Sequence, residues 1–251
     1  MTDMPYDPAD ARRRLAGDAD RPAFHFLPPC HWMNDPNGLI QFDGRYHAFY
    51  QHNPLAAVWG NMTWGHAISD DLVRWTDQPF ALTPTDAYDR LGCFSGCAVD
   101  DGGRMTLVYT GVAHDEARDI TRQWQCLATT DDGVRFTKSS ANPVLADPPD
   151  GFMPRHFRDP FVWRDDFGDG AHWYMVLCGA TTDESQRGAV LLYRGATLDN
   201  WQYLGPLRVE PEGTDKVTHE CPNFFRIGEK WMLITSPQPT GTAYVYVGRF
   251  D

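Results

Sequence analysis

The sequence predicts an all-β protein of the β-propeller type, and three observations carry that expectation. Four short segments begin alike: Asn34-Asp35-Pro36-Asn37-Gly38, Phe94-Ser95-Gly96-Cys97-Ala98, Phe157-Arg158-Asp159-Pro160-Phe161 and His219-Glu220-Cys221-Pro222-Asn223. Their key positions 35, 95, 159 and 220 lie 60, 64 and 61 residues apart. Behind each head the chain reads as a hairpin. A second marker, the aromatic at Trp75, Phe136 and Trp201, recurs after 61 and 65 residues. Two markers that keep one period define a repeated unit, and equivalent positions of such a unit return to equivalent places around a shared axis. A β-sandwich with coincidental spacing would not keep both.

Taken in chain order, the first element is a short helix. Asp7 is placed to cap it, Pro8 takes the first helical position, the helix runs over Ala9 to Ala16, and Gly17 stops it. Residues 1–24 form a surface lead-in to a partial propeller over 25–251. The first head is followed by Leu39 to Phe42, a turn at Asp43-Gly44, and Tyr46 to Gln51. The second leads into Ala98-Val99, a turn over Asp100 to Gly103, and Met105 to Tyr109. The third gives Phe161 to Trp163, a polar Gly-Asp loop, and Trp173 to Leu177. The fourth gives Phe224 to Ile227, a turn at Gly228-Glu229, and Trp231 to Ile234. β-branched and aromatic runs around Gly/Asp turns are hairpins. A third strand with an acidic turn recurs at Trp64 to Trp75, Cys126 to Phe136 and Ala189 to Trp201. Three or four antiparallel strands in about 60 residues make one propeller blade.

Composition and charge narrow the function classes. With 13% aromatic residues, 22 Gly and 19 Pro, the chain suits many short strands and tight turns. A formal net charge of −12 without clustered Lys or Arg argues against nucleic acid or an anionic membrane as partner. No apolar run follows Arg12-Arg13-Arg14, and no stretch approaches the ~20 apolar residues of a membrane span. The expected setting is cytoplasmic. The six cysteines, Cys30, Cys93, Cys97, Cys126, Cys178 and Cys221, contain no CxxC pair and are expected to be thiols. Neither HExxH nor paired CxxC occurs, so no metal and no other cofactor is expected.

The acids carry the chemistry. If the first strand of each blade lines the central channel, Asp35, Asp159 and Glu220 face one pocket. Carboxylates brought together cannot all stay ionised, and a protonated acid beside ionised ones is what glycoside hydrolysis needs. By contrast Asp43, Asp70, Asp71, Asp131 and Asp132 fall in turns, where Asp bonds its own backbone.

These residues resemble a known family. His31-Trp32-Met33-Asn34-Asp35-Pro36-Asn37-Gly38, Phe157-Arg158-Asp159-Pro160 and Glu220-Cys221-Pro222 are similar to the three signature motifs of the invertase and β-fructofuranosidase family, glycoside hydrolase family 32. Phe49-Tyr50-Gln51, Trp64-Gly65-His66-Ala67 and Phe94-Ser95-Gly96 match as well, in the family's order from about His25 to the last residue. The resemblance implies a five-bladed propeller that hydrolyses terminal β-fructofuranosides with retention. On this pattern Asp35 is the nucleophile, Glu220 the acid/base, and Asp159 the residue that holds sugar hydroxyls and stabilises developing positive charge. Trp32, Asn34, Gln51, Trp59, Phe94, Ser95 and Arg158 match substrate-binding positions, and the partner implied is a small sugar, sucrose or sucrose 6-phosphate. Fructan hydrolysis and fructosyl transfer belong to the same family. A related five-bladed family of inverting arabinanases and xylosidases also sets three acids on its blades, and a non-catalytic sugar-binding propeller would use them only as hydroxyl acceptors.

The chain departs from the family's pattern in three places. Cys97 stands where a small hydroxyl residue is common, and Thr218-His219 precede Glu220 where an aromatic often does. A fifth head would fall at about position 282, beyond Asp251. About four blades are therefore expected, without the family's fifth blade and C-terminal β-sandwich. A truncated product of this kind would expose strand edges and part of the channel wall, and its activity would depend on a pocket lacking one wall.

Overall fold

Asp43 and Gly44 both take positive φ, 47° and 74°, the type I′ geometry whose twist matches the two strands it joins. This turn and the turns and loops between the other strands fold the sequence into antiparallel sheets in the computed structural model, which describes residues 7–214 and 217–250. Blade 1 contains β1 (Trp32–Phe42), β2 (Arg45–Asn53), β3 (Thr63–Ser69) and β4 (Thr76–Asp77). Blade 2 contains β5 (Gly92–Asp100), β6 (Met105–Asp115), β7 (Ile120–Thr130) and β8 (Thr137–Lys138). Blade 3 contains β9 (Phe152–Asp166), β10 (Ala171–Thr181), β11 (Gly188–Thr197) and β12 (Asn200–Val209). Blade 4 contains β13 (Thr218–Ile227), β14 (Lys230–Gln238) and β15 (Tyr244–Gly248). In every sheet the strands pair in chain order, which leaves the first strand at one edge. Those first strands are neighbours, β1 beside β5, β5 beside β9 and β9 beside β13, so the four blades follow one another around a common channel.

Apolar contact between blades holds the arrangement. Phe49 and Trp64 of blade 1 pack against Leu107 and Tyr109 of blade 2. Val108 and Leu127 of blade 2 pack against Met175 and Leu177 of blade 3. Val176 and Val190 of blade 3 pack against Trp231 and Leu233 of blade 4. Successive residues of a strand face opposite sides of its sheet, so β10 sends Met175 and Leu177 one way and Val176 the other. This is why that strand is apolar without alternation. Cys97 has a role here: its buried Sγ accepts the backbone N–H of Val162 at 3.2 Å and ties blade 2 to blade 3. All six cysteines are free thiols.

The helix is a correction to the sequence reading. Asp7 caps it as expected, its carboxylate accepting the Ala9 N–H, but α1 spans Pro8–Arg14 and does not reach Ala16. Leu15, at φ −94° and ψ 2°, leaves the helical geometry. The Ala16 N–H then bonds to Arg13 O at 3.3 Å and the Asp18 N–H to Leu15 O at 3.2 Å, tight three-residue turns that end the helix early. None of its residues is buried. Arg12 fastens it to the propeller, donating to Asp77 Oδ1 at 2.7 Å and to Leu27 O at 3.0 Å. Among the described residues no helix is long and apolar enough to cross a membrane.

Candidate active site

Each inner strand breaks its ladder at its head. Register shifts occur on β1 between Met33 and Pro36, on β5 between Phe94 and Gly96, and on β13 between Glu220 and Asn223. On β9 the pairing jumps from Arg158 to Phe161. On β1, β9 and β13 the break lies beside Pro36, Pro160 and Pro222, which have no N–H to give a neighbour, whereas on β5 it falls at Ser95, next to Gly96, without a proline. The conformation follows, with Asp159 at φ 62° and Cys221 at φ 46°, the left-handed region that a bulge exploits to re-aim side chains. At Gly96 the close approach is to backbone, since a Cβ there would lie 2.0 Å from Val108 O.

The re-aimed side chains meet. A cavity of about 260 Å³ is lined by Asp35, Asp159 and Glu220 together with Asn34, Gln51, Trp59, Phe94, Ser95 and Arg158. Ser95 Oγ donates to Asp35 Oδ2 at 2.7 Å, and the Cys221 thiol lies 3.5 Å from the same oxygen. Arg158 Nη2 donates to Glu220 Oε1 at 2.6 Å, while its Nε stands 3.6 Å from Asp159 Oδ2. The Cys221 backbone N–H donates to Asp159 Oδ2 at 3.0 Å. One bulge therefore serves two carboxyls, through its sulfur and through its amide.

Asp159 is the electrostatic centre of the cluster. Burial raises its pKa from 3.8 to about 6; Arg158 and the Cys221 N–H pull it down, and Glu220 and Asp35 push it up again. Burial pushes the Cys221 thiol well above its ordinary value, as do Asp159 and Asp35, so it stays protonated and can donate. Arg158 stays charged despite its own burial because the Asp159 and Glu220 carboxyls stand against it. Burial and the neighbouring Arg158 lower His156 to about 4, leaving a neutral ring whose Nδ1 accepts from Arg158 Nη1 at 3.2 Å. Gln123 Oε1, 3.4 Å from Nη1, completes that end of the guanidinium.

The remaining residues shape the walls. Trp59 and Phe94 meet edge to face, ring centres 5.8 Å apart, an apolar side for sugar C–H groups. Gln51 is buried and held by Cys93 O at 3.0 Å. Trp32 stands apart: it does not line the cavity, and its indole N–H donates to Asn34 Oδ1 at 2.8 Å, so it orients a wall residue. Met62 and Gln238 also line the cavity, and the sequence reading missed both. The expected turn acids stay outside it: Asp71 and Asp132 each accept two backbone N–H groups of their own turns. Among the described residues no group of three or more His, Cys, Asp or Glu is arranged to hold a metal ion.

Comparison with known proteins shows the family and the fold. Residues 25–251 match the model of the glycosyl hydrolases family 32 N-terminal domain. A sucrose-6-phosphate hydrolase of Escherichia coli is 47% identical over 239 residues, covering 94% of this chain and 48% of the relative. A raffinose invertase of Escherichia coli is 49% identical over 225 residues, covering 88% of this chain and 45% of the relative. Among solved structures, a Bombyx mori GH32 beta-fructofuranosidase superposes with a TM-score of 0.84 at 37% identity, covering 97% of this chain and 52% of that one. A mutant of that enzyme has been solved in complex with sucrose. The chain spans about half the length of the curated relatives it matches.

Proposed function

The chain belongs to glycosyl hydrolase family 32, and from that premise we propose that its cavity hydrolyses terminal β-D-fructofuranosides, sucrose or sucrose 6-phosphate, with retention of configuration. The observation that carries this reading is the unequal setting of two carboxyls on one cavity. Asp35 is approached by two donors on a single oxygen, Ser95 Oγ and Cys221 Sγ, which leaves its other oxygen for an electrophile. Glu220, with about a third of its side chain open to solvent, keeps one oxygen on Arg158 and the other available to a leaving group. In the first step Asp35 attacks the anomeric ketose carbon, the bond to the leaving oxygen breaks, and Glu220 gives that oxygen its proton. In the second, Glu220 takes a proton from water, which displaces Asp35 and releases fructose. Asp159 holds sugar hydroxyls, and Arg158 offsets the crowded negative charge.

The names of the relatives support the substrate class, since they hydrolyse sucrose 6-phosphate or are invertases by name. The test is a pair of substitutions assayed on sucrose and on an aryl β-fructofuranoside with a good leaving group. Asp35→Ala is expected to abolish turnover of both. Glu220→Ala is expected to lose sucrose turnover but keep much of the aryl reaction, with azide restoring part of the rest. Equal losses in both variants without rescue would sink the assignment.

A further inference from the structure

Glu220 is flanked on β13 by two anchored residues, and only one of them reaches the cavity. Cys221 does so indirectly, its amide on Asp159 and its thiol beside Asp35, two of the carboxyls that line it. His219 is fully buried on the opposite face of the strand, with Nε2 2.7 Å from Glu210 Oε1 and Nδ1 3.0 Å from Thr235 Oγ1. Glu210 is itself fixed. Arg208 donates to its Oε1 from Nε at 2.9 Å, with Nη2 at 2.9 Å from the same oxygen, and the Glu210 N–H bonds to Gly188 O. The Arg208 guanidinium in turn lies 4.1 Å from the centre of the Tyr246 ring. A chain of directed contacts thus runs from Tyr246 on β15 through Arg208 on β12 and Glu210 to His219, and ends at Thr235 on β14.

We propose that His219, locked by Glu210 and Thr235, is a positioning residue for Glu220. The inference rests on Glu220 being the acid/base of the proposed reaction. Glu220 is held at its tip by Arg158 and at its root by β13, so the way its carboxyl meets Arg158 also depends on where the strand holds its backbone. Side chains alternate along a strand, so His219, anchored on the opposite face, fixes the backbone on one side of Glu220 as Cys221 fixes it on the other. An imidazole suits the task because its two nitrogens bind partners on opposite sides, preventing ring rotation and joining the end of blade 3 to the inner strand of blade 4. An apolar aromatic at 219 would fill the space and leave Glu210 with one partner fewer in a buried site. The departure at 219 noted in the sequence thus has a local counterpart in Glu210.

The test uses the full chain carrying ¹³C at its glutamate side-chain carboxyls, with the Glu220 signal identified by its loss in Glu220→Gln. His219→Phe and Glu210→Gln are expected to move that signal toward the position of a free carboxylate. They should also lower sucrose turnover about tenfold more than turnover of the activated aryl fructoside, a difference of about 1.4 kcal/mol in barrier. An unmoved Glu220 signal in a cooperatively melting His219→Phe chain, with equal losses on both substrates, overturns the proposal. Should His219→Phe not fold, Glu210→Gln, which keeps size and shape, decides in its place. If Glu220→Gln kept full sucrose turnover, the acid/base reading would fall while the carboxyl signal still decided the positioning.

Discussion

Asp132 and Asp159 are the same residue in two regions of the propeller, and their acidities move in opposite directions. Asp132 sits in an outer turn, where the Arg135 and Val134 N–H groups and the Thr130 hydroxyl converge on it and bring it down to about 2. Asp71 in the turn of blade 1 is brought to about 2 in the same way, by Arg74 and Val73. Asp159, at an inner head, is enclosed and rises to about 6, with one backbone N–H and an arginine only partly offsetting its burial. In the turns the carboxylate completes the backbone around it. At the heads the backbone is bulged away, and the carboxyl is left for a ligand.

Removing the cation from the heads should sharpen this contrast with the largest effect, since Arg158 is what holds Asp159 down against its burial. Arg158→Met leaves Asp159 and Glu220 crowded without their counter-charge, and loss of one partner of a buried ion pair costs about 3–5 kcal/mol. Denaturant unfolding should report the loss, and sucrose turnover should vanish. Asp159→Asn should act in the opposite sense on stability. A folded pKa raised from 3.8 to about 6 means that the stability Asp159 contributes is full below pH 3.8 and is lost as pH rises through about 6. The amide has no such loss, so the variant should be more stable at pH 7 by about 3 kcal/mol, an order of magnitude set by a shift of roughly two pH units. The two chains should converge below pH 3.8, and turnover should fall, a stability gain at the expense of function. The smallest effect belongs to Asp132→Ala. A pKa lowered to about 2 contributes stability above pH 3.8 and loses it as pH falls through about 2. Its small drop in melting temperature should therefore be present at pH 7 and disappear in acid, the mirror image of Asp159→Asn.

Much of this was legible in the sequence because the repeat writes itself twice, at the heads and at the outer aromatics. The period located all four inner strands and predicted that Asp35, Asp159 and Glu220 would meet. The turn acids were legible because Asx chemistry is local. The short β4 and β8 were not, since two residues hold no periodicity, and only Trp75 and Phe136 mark where they begin. Gln238 was hidden for another reason: its place in the cavity wall follows from pairing with Thr218 across β13 and β14, a register no local pattern specifies. Met62 enters the wall through an isolated bridge to Gly92 in the next blade, equally non-local. The bulges did leave a trace. Pro36, Pro160 and Pro222 interrupt strands that their neighbours require, and a proline in a ladder announces that the ladder breaks there.

Those prolines have a further effect. The innermost strand of every blade is a sheet edge, and each of these edges lies beside the inner strand of a neighbouring blade. Unpaired edges of this kind are templates for strand addition, by another chain or by each other. At the heads of β9 and β13 a missing N–H beside a left-handed residue denies an incoming strand its register, and at the head of β1 the missing N–H of Pro36 acts without a left-handed neighbour. The same local disorder of the ladder that presents the acids to a sugar therefore also guards the mouth of the channel against self-association.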